Sequence, residues 1–439
     1  MEQPKRRIDV EAWQTLVHVC RRWRNLVFES PRRLNLRLYC APQTPVVRER
    51  LDIWPTLPLV VSGLITLSSD IIPALWQSNR VCQINLWGLQ LGKVLEPVQA
   101  PFPELTDLQL SSHDRESDRD DIPDTFLGGS APRLRTLVFY FVSFPGLPKL
   151  LLSATHLVHL HLCGVPHSEY LSPEAIVPLL SALSSLESFM LEFECSWSDR
   201  EGSSLPPPNR SILPSLADFS FDGPTEYLEQ LVTRIDTPQL VKTYIDFFIQ
   251  IDHNHPCPQL IQFINRTPTL KALDEAHVQF YDRITSLRVR YRTSDPIVDE
   301  LMINFYCYES HLQPRLSSIE RVCNPSLHLL STVEDLYIEH RLHWTNVAIG
   351  NVLWSELLLP FTMVKNLYLS KQFAPGIAAA LQEHVGDRIT EVLPNLQHIF
   401  VEELEPSGPC QENIGRFVAA RQLSNHTIAI SVWDNAEST

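Results

Sequence analysis

The sequence predicts an α/β solenoid in which short parallel strands alternate with helices, and three observations carry that prediction. The unit Pro103-Glu-Leu-Thr-Asp-Leu-Gln-Leu110 places a turn-making proline before apolar residues at relative positions 1, 4 and 6. It returns as Leu134/Leu137/Phe139, Leu157/Leu160/Leu162, Leu186/Phe189/Leu191 and Leu216/Phe219/Phe221, then more weakly as Leu240/Thr243/Ile245, Val333/Leu336/Ile338, Val364/Leu367/Leu369 and Leu396/Ile399/Val401. The spacing of its first positions is regular: 29, 23, 29, 30 and 24 residues from Leu105 to Leu240, and 31 and 32 over the last two steps. Finally, the L-x-L ending alternates with period two, so both apolar residues face one side of a strand. One such strand cannot bury its apolar face alone, and copies must stack. A period of this size carrying L-x-x-L-x-L is the signature of a leucine-rich-repeat solenoid.

Taken in order, residues 9–29 read as a helix, with Val10, Trp13, Leu16, Val17, Cys20, Trp23, Leu26 and Val27 at three- and four-residue steps. Arg21, Arg22 and Arg24 fill its other side, and Ser30-Pro31 stops it because the residue before proline leaves the helical region. A strand with Leu34, Leu36 and Leu38 inward follows. Residues 41–80 form a poorly patterned, Pro-containing connection that reads as the first irregular repeats, and Val81-x-x-Ile84-x-Leu86 is a further unit. The charged stretch 111–125 reads as a solvent-exposed insertion. Ser172-Pro173 starts a helix, serine as N-cap and proline in the first turn. Residues 196–211, with three consecutive prolines, read as a loop, and 225–235 and 241–247 as a helix and strand. Residues 252–326 fit least; Leu270 and Leu287-Arg-Val-Arg-Tyr291 read as distorted copies. A helix at 377–385 precedes the strand at 397–401, and residues 411–439 supply a closing helix and strand. The predicted organisation is a helical segment 1–38, a solenoid 39–410 and a capping segment 411–439.

The N-terminal residues Trp13-x-x-Leu16-x-x-Val19-Cys20-Arg-Arg-Trp23-Arg24, then Ser30-Pro31 and an alternating strand, resemble the second half of an F-box. F-box proteins, including a large fungal group, follow that motif with leucine-rich repeats. They bind a Skp-type adaptor of a cullin–RING ubiquitin ligase, while the repeats hold a protein substrate. The resemblance covers about residues 8–38, and it implies that Trp13, Leu16, Val19, Cys20 and Trp23 contact the adaptor. The family's L-P-x-E-type first half, which supplies much of that contact, does not precede Trp13 here. Two functions are therefore expected from different classes. One is a substrate-recognition subunit of a Skp-cullin-F-box ligase; the other is a ligase-independent interaction scaffold in which those five residues only cap the solenoid.

Composition narrows the classes further. The net charge of −15 is uneven: residues 1–50 carry eleven Lys/Arg against five Asp/Glu, leaving an acidic body. That balance argues against nucleic acid as the main partner, since phosphate binding needs clustered Lys and Arg. No segment reaches the roughly 18 apolar residues of a membrane helix. Nine scattered cysteines without a C-x-x-C pair, and no apolar signal after the charged start, point to reduced thiols in cytoplasm or nucleus.

Catalytic motifs are absent: there is no G-x-S-x-G, G-x-x-x-x-G-K-[ST], G-x-G-x-x-G or H-E-x-x-H, so no enzyme and no cofactor is expected. His159, His161 and Cys163 share one strand face, yet structural zinc takes four ligands and no fourth is evident. They read as ladder surface, and His253-Asn-His255-Pro-Cys257 as a loop. The expected working surface is the outward positions of the strands. Its candidates are Tyr140, His159, His161, Tyr244, Tyr337, Tyr368 and Phe400, because Tyr joins a large contact area to a polar tip.

Overall fold

A computed structural model describes residues 19–29, 37–41, 51, 57–65, 71–88, 91–112, 122–165, 171–194, 210–247, 257–292, 300–306, 312–324, 326–340, 351–383, 391–402, 409–424 and 426–433. The chain is α/β and divides into two compact units, Met1–Leu171 with Pro178–Glu194, and Ser172–Val177 with Cys195–Thr439.

In the first unit the described strands are β1 (Leu38–Cys40), β2 (Leu59–Ile65), β3 (Val81–Gly88), β4 (Asp107–Ser112), β5 (Thr136–Tyr140), β6 (His159–Val165) and β7 (Ser188–Phe193). They lie side by side in chain order, every pairing parallel. Register follows the repeat: Ile84, Leu108, Leu137, Leu160 and Phe189 form one inward column, and Leu86, Leu110, Phe139, Leu162 and Leu191 the next. The first-position leucines explain the turn into each strand. The N–H of Leu105, Leu134, Leu157 and Leu186 donates to the carbonyl three residues back, at 3.3, 3.0, 3.0 and 3.0 Å. The side chain thus drops into the core beneath the strand, where all four are at most 1% exposed. The segments between strands, among them the helices Leu91–Leu95 and Leu147–Ser153, bury Leu95 and Leu150 behind the sheet, and Leu180 is buried in the part of the helix Pro173–Ala182 that belongs to this unit.

In the second unit the strands are β8 (Ser211–Ile212), β9 (Asp218–Gly223), β10 (Ile235–Asp236), β11 (Lys242–Phe247), β12 (Glu275–Phe280), β13 (Ile284–Arg290), β14 (Glu300–Tyr306), β15 (Asp335–His340), β16 (Asn366–Leu369), β17 (His398–Val401) and β18 (Ala429–Val432). β8 and β10 pair apart from the others. The remainder run in the order β9-β11-β14-β13-β12-β15-β16-β17-β18.

That order departs from a uniform parallel repeat. The two segments read as distorted copies are here a 3-10 turn, Pro268–Ala272, holding Leu270, and an antiparallel strand, β13, holding Leu287 and Val289. The chain skips from β11 to β12, turns back through β13 and returns as β14, which pairs parallel with β11. The inward alternation survives the reversal: Ala276, Val278, Leu287, Val289, Leu301 and Ile303 are fully buried. Arg315, 2% exposed, ties the hairpin turn down by donating to the Tyr281 carbonyl at 2.7 Å and to that of Asp282. Among the described residues no helix is long and apolar enough to cross a membrane.

Candidate functional site

Parallel strands in register bring equivalent residues to about the 4.8 Å strand spacing, a centroid separation at which aromatic rings stack with an offset. On the outward face of the second unit this produces a ring stack. His277, Tyr337, Tyr368 and Phe400 are register partners on β12, β15, β16 and β17. Their ring centroids are 4.4, 4.1 and 4.5 Å apart, with planes within 8° of parallel. The same register row continues from His277 through Arg288 and Met302 to Tyr244, whose side chain is 40% exposed.

A charged row runs alongside. Arg290 Nε donates to Glu275 at 2.6 Å and Arg292 Nη1 to Asp335 at 2.8 Å. Asn366 Nδ2 donates to Asp335 at 2.6 Å, and His398 Nδ1 lies 3.1 Å from the Asn366 side-chain oxygen. On the other flank Gln279 donates to Glu339 at 2.6 Å, and Asn304 to Asp246 at 2.7 Å and to the Tyr244 hydroxyl at 3.0 Å. Asp335, Glu339 and Asp246 are all buried, although alternation along the strands places them outward. Each is hydrogen-bonded there, Asp335 by Arg292 and Asn366, Glu339 by Gln279 and Asp246 by Asn304.

His277 joins the charged and aromatic rows. Its Nε2 lies 2.7 Å from Glu275 and its Nδ1 3.7 Å from Glu339. Burial alone would lower its pKa, but the two carboxylates outweigh burial and raise it. Glu275 is likewise pushed up by burial, and the bonds from His277 and Arg290 bring it below the usual carboxylate range. Burial holds the phenols of Tyr244, Tyr337 and Tyr368 above their ordinary value, so the ladder presents neutral hydroxyls.

The first unit presents a different face. Tyr140 is half-buried on β5, and His159 and His161 sit at neighbouring outward positions of β6, rings 6.3 Å apart. His161 Nε2 lies 3.0 Å from the Ser188 hydroxyl, while Cys163 is 3% exposed and contacts Met190 sulfur at 3.6 Å. Among the described residues no group of three or more His, Cys, Asp or Glu could hold a metal.

Of the residues that the F-box resemblance picks out, Trp13 and Leu16 lie outside the described residues, as do His253 and His255. Val19, Cys20 and Trp23 are exposed on and just before the helix Arg21–Glu29, with Val19 65% and Trp23 46% accessible, and Leu26 beside them is 55% accessible. Sequence reasoning missed His277 and Trp433. Leu273/Ala276/Val278 is a copy of the repeat whose middle position is only alanine, and it would have placed His277 outward beside Tyr337. Trp433 follows the last strand and has no periodic signal. No protein-family model matches this chain, and no curated protein sequence matches it.

Proposed function

We propose that this chain is a non-catalytic recognition subunit: a leucine-rich-repeat solenoid that holds a protein partner on its strand ladder and carries an N-terminal helix resembling part of an F-box. The ring stack of Tyr337, Tyr368 and Phe400 carries this reading. A row of rigid aromatic edges, the two tyrosines with polar tips, offers large contact area at low conformational entropy, which is the composition of binding hot spots. The exposed Val19, Trp23 and Leu26 support a docking role for the helix over a cap on the repeats, since a cap would bury them. By the resemblance, the docked protein is a Skp-type adaptor in the cytoplasm or nucleus, and the ladder's partner is the ubiquitination substrate.

The test combines two measurements. The purified chain is mixed with a Skp-type adaptor, and retention is compared with Trp23→Ala. Proximity labelling in cells is then compared between the wild type and Tyr337→Ala/Tyr368→Ala. Adaptor retention that falls with Trp23→Ala supports the ligase reading. Partners lost from the double variant support the ladder, with a loss of about 2 kcal/mol or more, roughly thirtyfold in affinity, for a hot spot. No adaptor retention with a ladder-dependent partner leaves the ligase-independent scaffold. Unchanged partners in the double variant would remove the ladder as the site.

A further inference from the structure

From the contacts around the stack we infer that the edges of Tyr337 and Tyr368 form a slot for a planar aromatic side chain, which the protein's own Trp433 fills. Both faces of each tyrosine ring are taken: Tyr337 lies between His277 and Tyr368, and Tyr368 between Tyr337 and Phe400. Only ring edges remain for a ligand. The Trp433 ring centroid is 5.9 Å from that of Tyr337 and 5.5 Å from that of Tyr368, with planes inclined by 62° and 69°. A ring nearly equidistant from two stacked neighbours lies beside the stack, bridging their edges in the T-shaped geometry that the aromatic quadrupole favours.

Trp433 is anchored for this. It follows β18, and its N–H donates to the Val401 carbonyl at 3.1 Å, which extends the ladder by one bond. Its ring then reaches back over the face to the strands two and three places away in the sheet order. The chemistry of this intramolecular occupant defines the partner: a protein segment bearing an exposed tryptophan or comparable flat ring, which enters by displacing Trp433. The partner arm rests on the ladder being the recognition face; the latch itself does not.

The experiment uses the full-length chain as wild type, Trp433→Ala and Trp433→Phe, with tetranitromethane nitration of each tyrosine mapped by peptide mass. Loss of Trp433 removes two aromatic edge contacts, so nitration of Tyr337 and Tyr368 rises roughly tenfold in Trp433→Ala and much less in Trp433→Phe. Tyr244, on β11, serves as the internal reference. Indole at millimolar concentration restores protection in Trp433→Ala and has no effect on the wild type, whereas tert-butanol at the same concentration restores none. Equal nitration of both tyrosines in wild type and Trp433→Ala would overturn the latch. A raised rate that indole does not reverse would overturn the aromatic-ligand assignment. Neither result depends on cellular partners, so the slot and the recognition function fail separately.

Discussion

At the scale of single residues the second unit's outward face is organised by one imidazole. His277 stacks on Tyr337 while it bonds Glu275 on its own strand, lies near Glu339 on β15, and faces Arg288 across the register on β13. Its pKa is raised in the folded protein, so it binds its proton more tightly folded than unfolded. The stability it contributes is complete below the unfolded imidazole value, about 6.5, and is lost as pH rises through the raised folded value. Glu275 has the opposite sign. Its folded value is depressed, so its contribution is present above the ordinary carboxylate range and lost as pH falls through the depressed value. Thermal stability is therefore expected to fall in the wild type as pH rises from about 6.5 through the raised folded value of His277. His277→Phe, which keeps a ring in the stack but carries no proton, should flatten that slope. A slope of equal size in His277→Phe would assign the pH dependence to other groups.

At the scale of the element, the turns decide where a strand ends. Gly164 in β6 has φ +65°, and a Cβ there would stand 2.3 Å from the Phe141 ring. The register between β6 and β7 breaks between Leu162 and Val165, the mark of a bulge built on a left-handed glycine. Gly164→Ala is expected to cost at least about 1–3 kcal/mol, through left-handed strain plus the clash, measured as a shift in urea midpoint at constant slope. A change within a few tenths of a kcal/mol would mean the bulge relaxes. The same scale explains which elements could be read in the sequence. The inward positions of β4–β7, β9, β11 and β15–β17 are legible because leucine, phenylalanine, isoleucine and valine at period two, with Thr243 the one polar exception, state both the strand and its buried face. Strand direction is not legible: Leu287 and Val289 alternate identically whether the strand runs parallel or antiparallel, so β13 reads as a distorted copy. Alternation also names Tyr337, Tyr368 and Phe400 as outward, but the stack they form needs the register, which strands three or more decades of residues apart acquire only on pairing. The burial of Asp335 and Glu339 is likewise a matter of neighbours, here Arg292 and Gln279, that periodicity does not bring together.

At the scale of the whole molecule, the described strands bond only to their neighbours in the sheet order; under the solenoid reading proposed above, stability would be a sum of repeat terms and nearest-neighbour interfaces rather than the property of one central core. A lesion in such an array stays close to where it is made. Leu160 on β6 and Leu367 on β16 are both fully buried and occupy the same position of the repeat, one in each compact unit. Replacing either by alanine removes about 2–5 kcal/mol of transfer and cavity energy. If each unit is its own cooperative body, peptide-resolved hydrogen exchange should show Leu160→Ala loosening β5–β7 and leaving β15–β17 protected, with Leu367→Ala giving the converse. Urea unfolding followed by fluorescence should then fit two transitions, only one of which moves in each variant. Equal loss of protection in both units from either substitution would make the chain a single cooperative body. In that outcome any ligand bound at Tyr337 and Tyr368 would stabilise the first unit as strongly as the second.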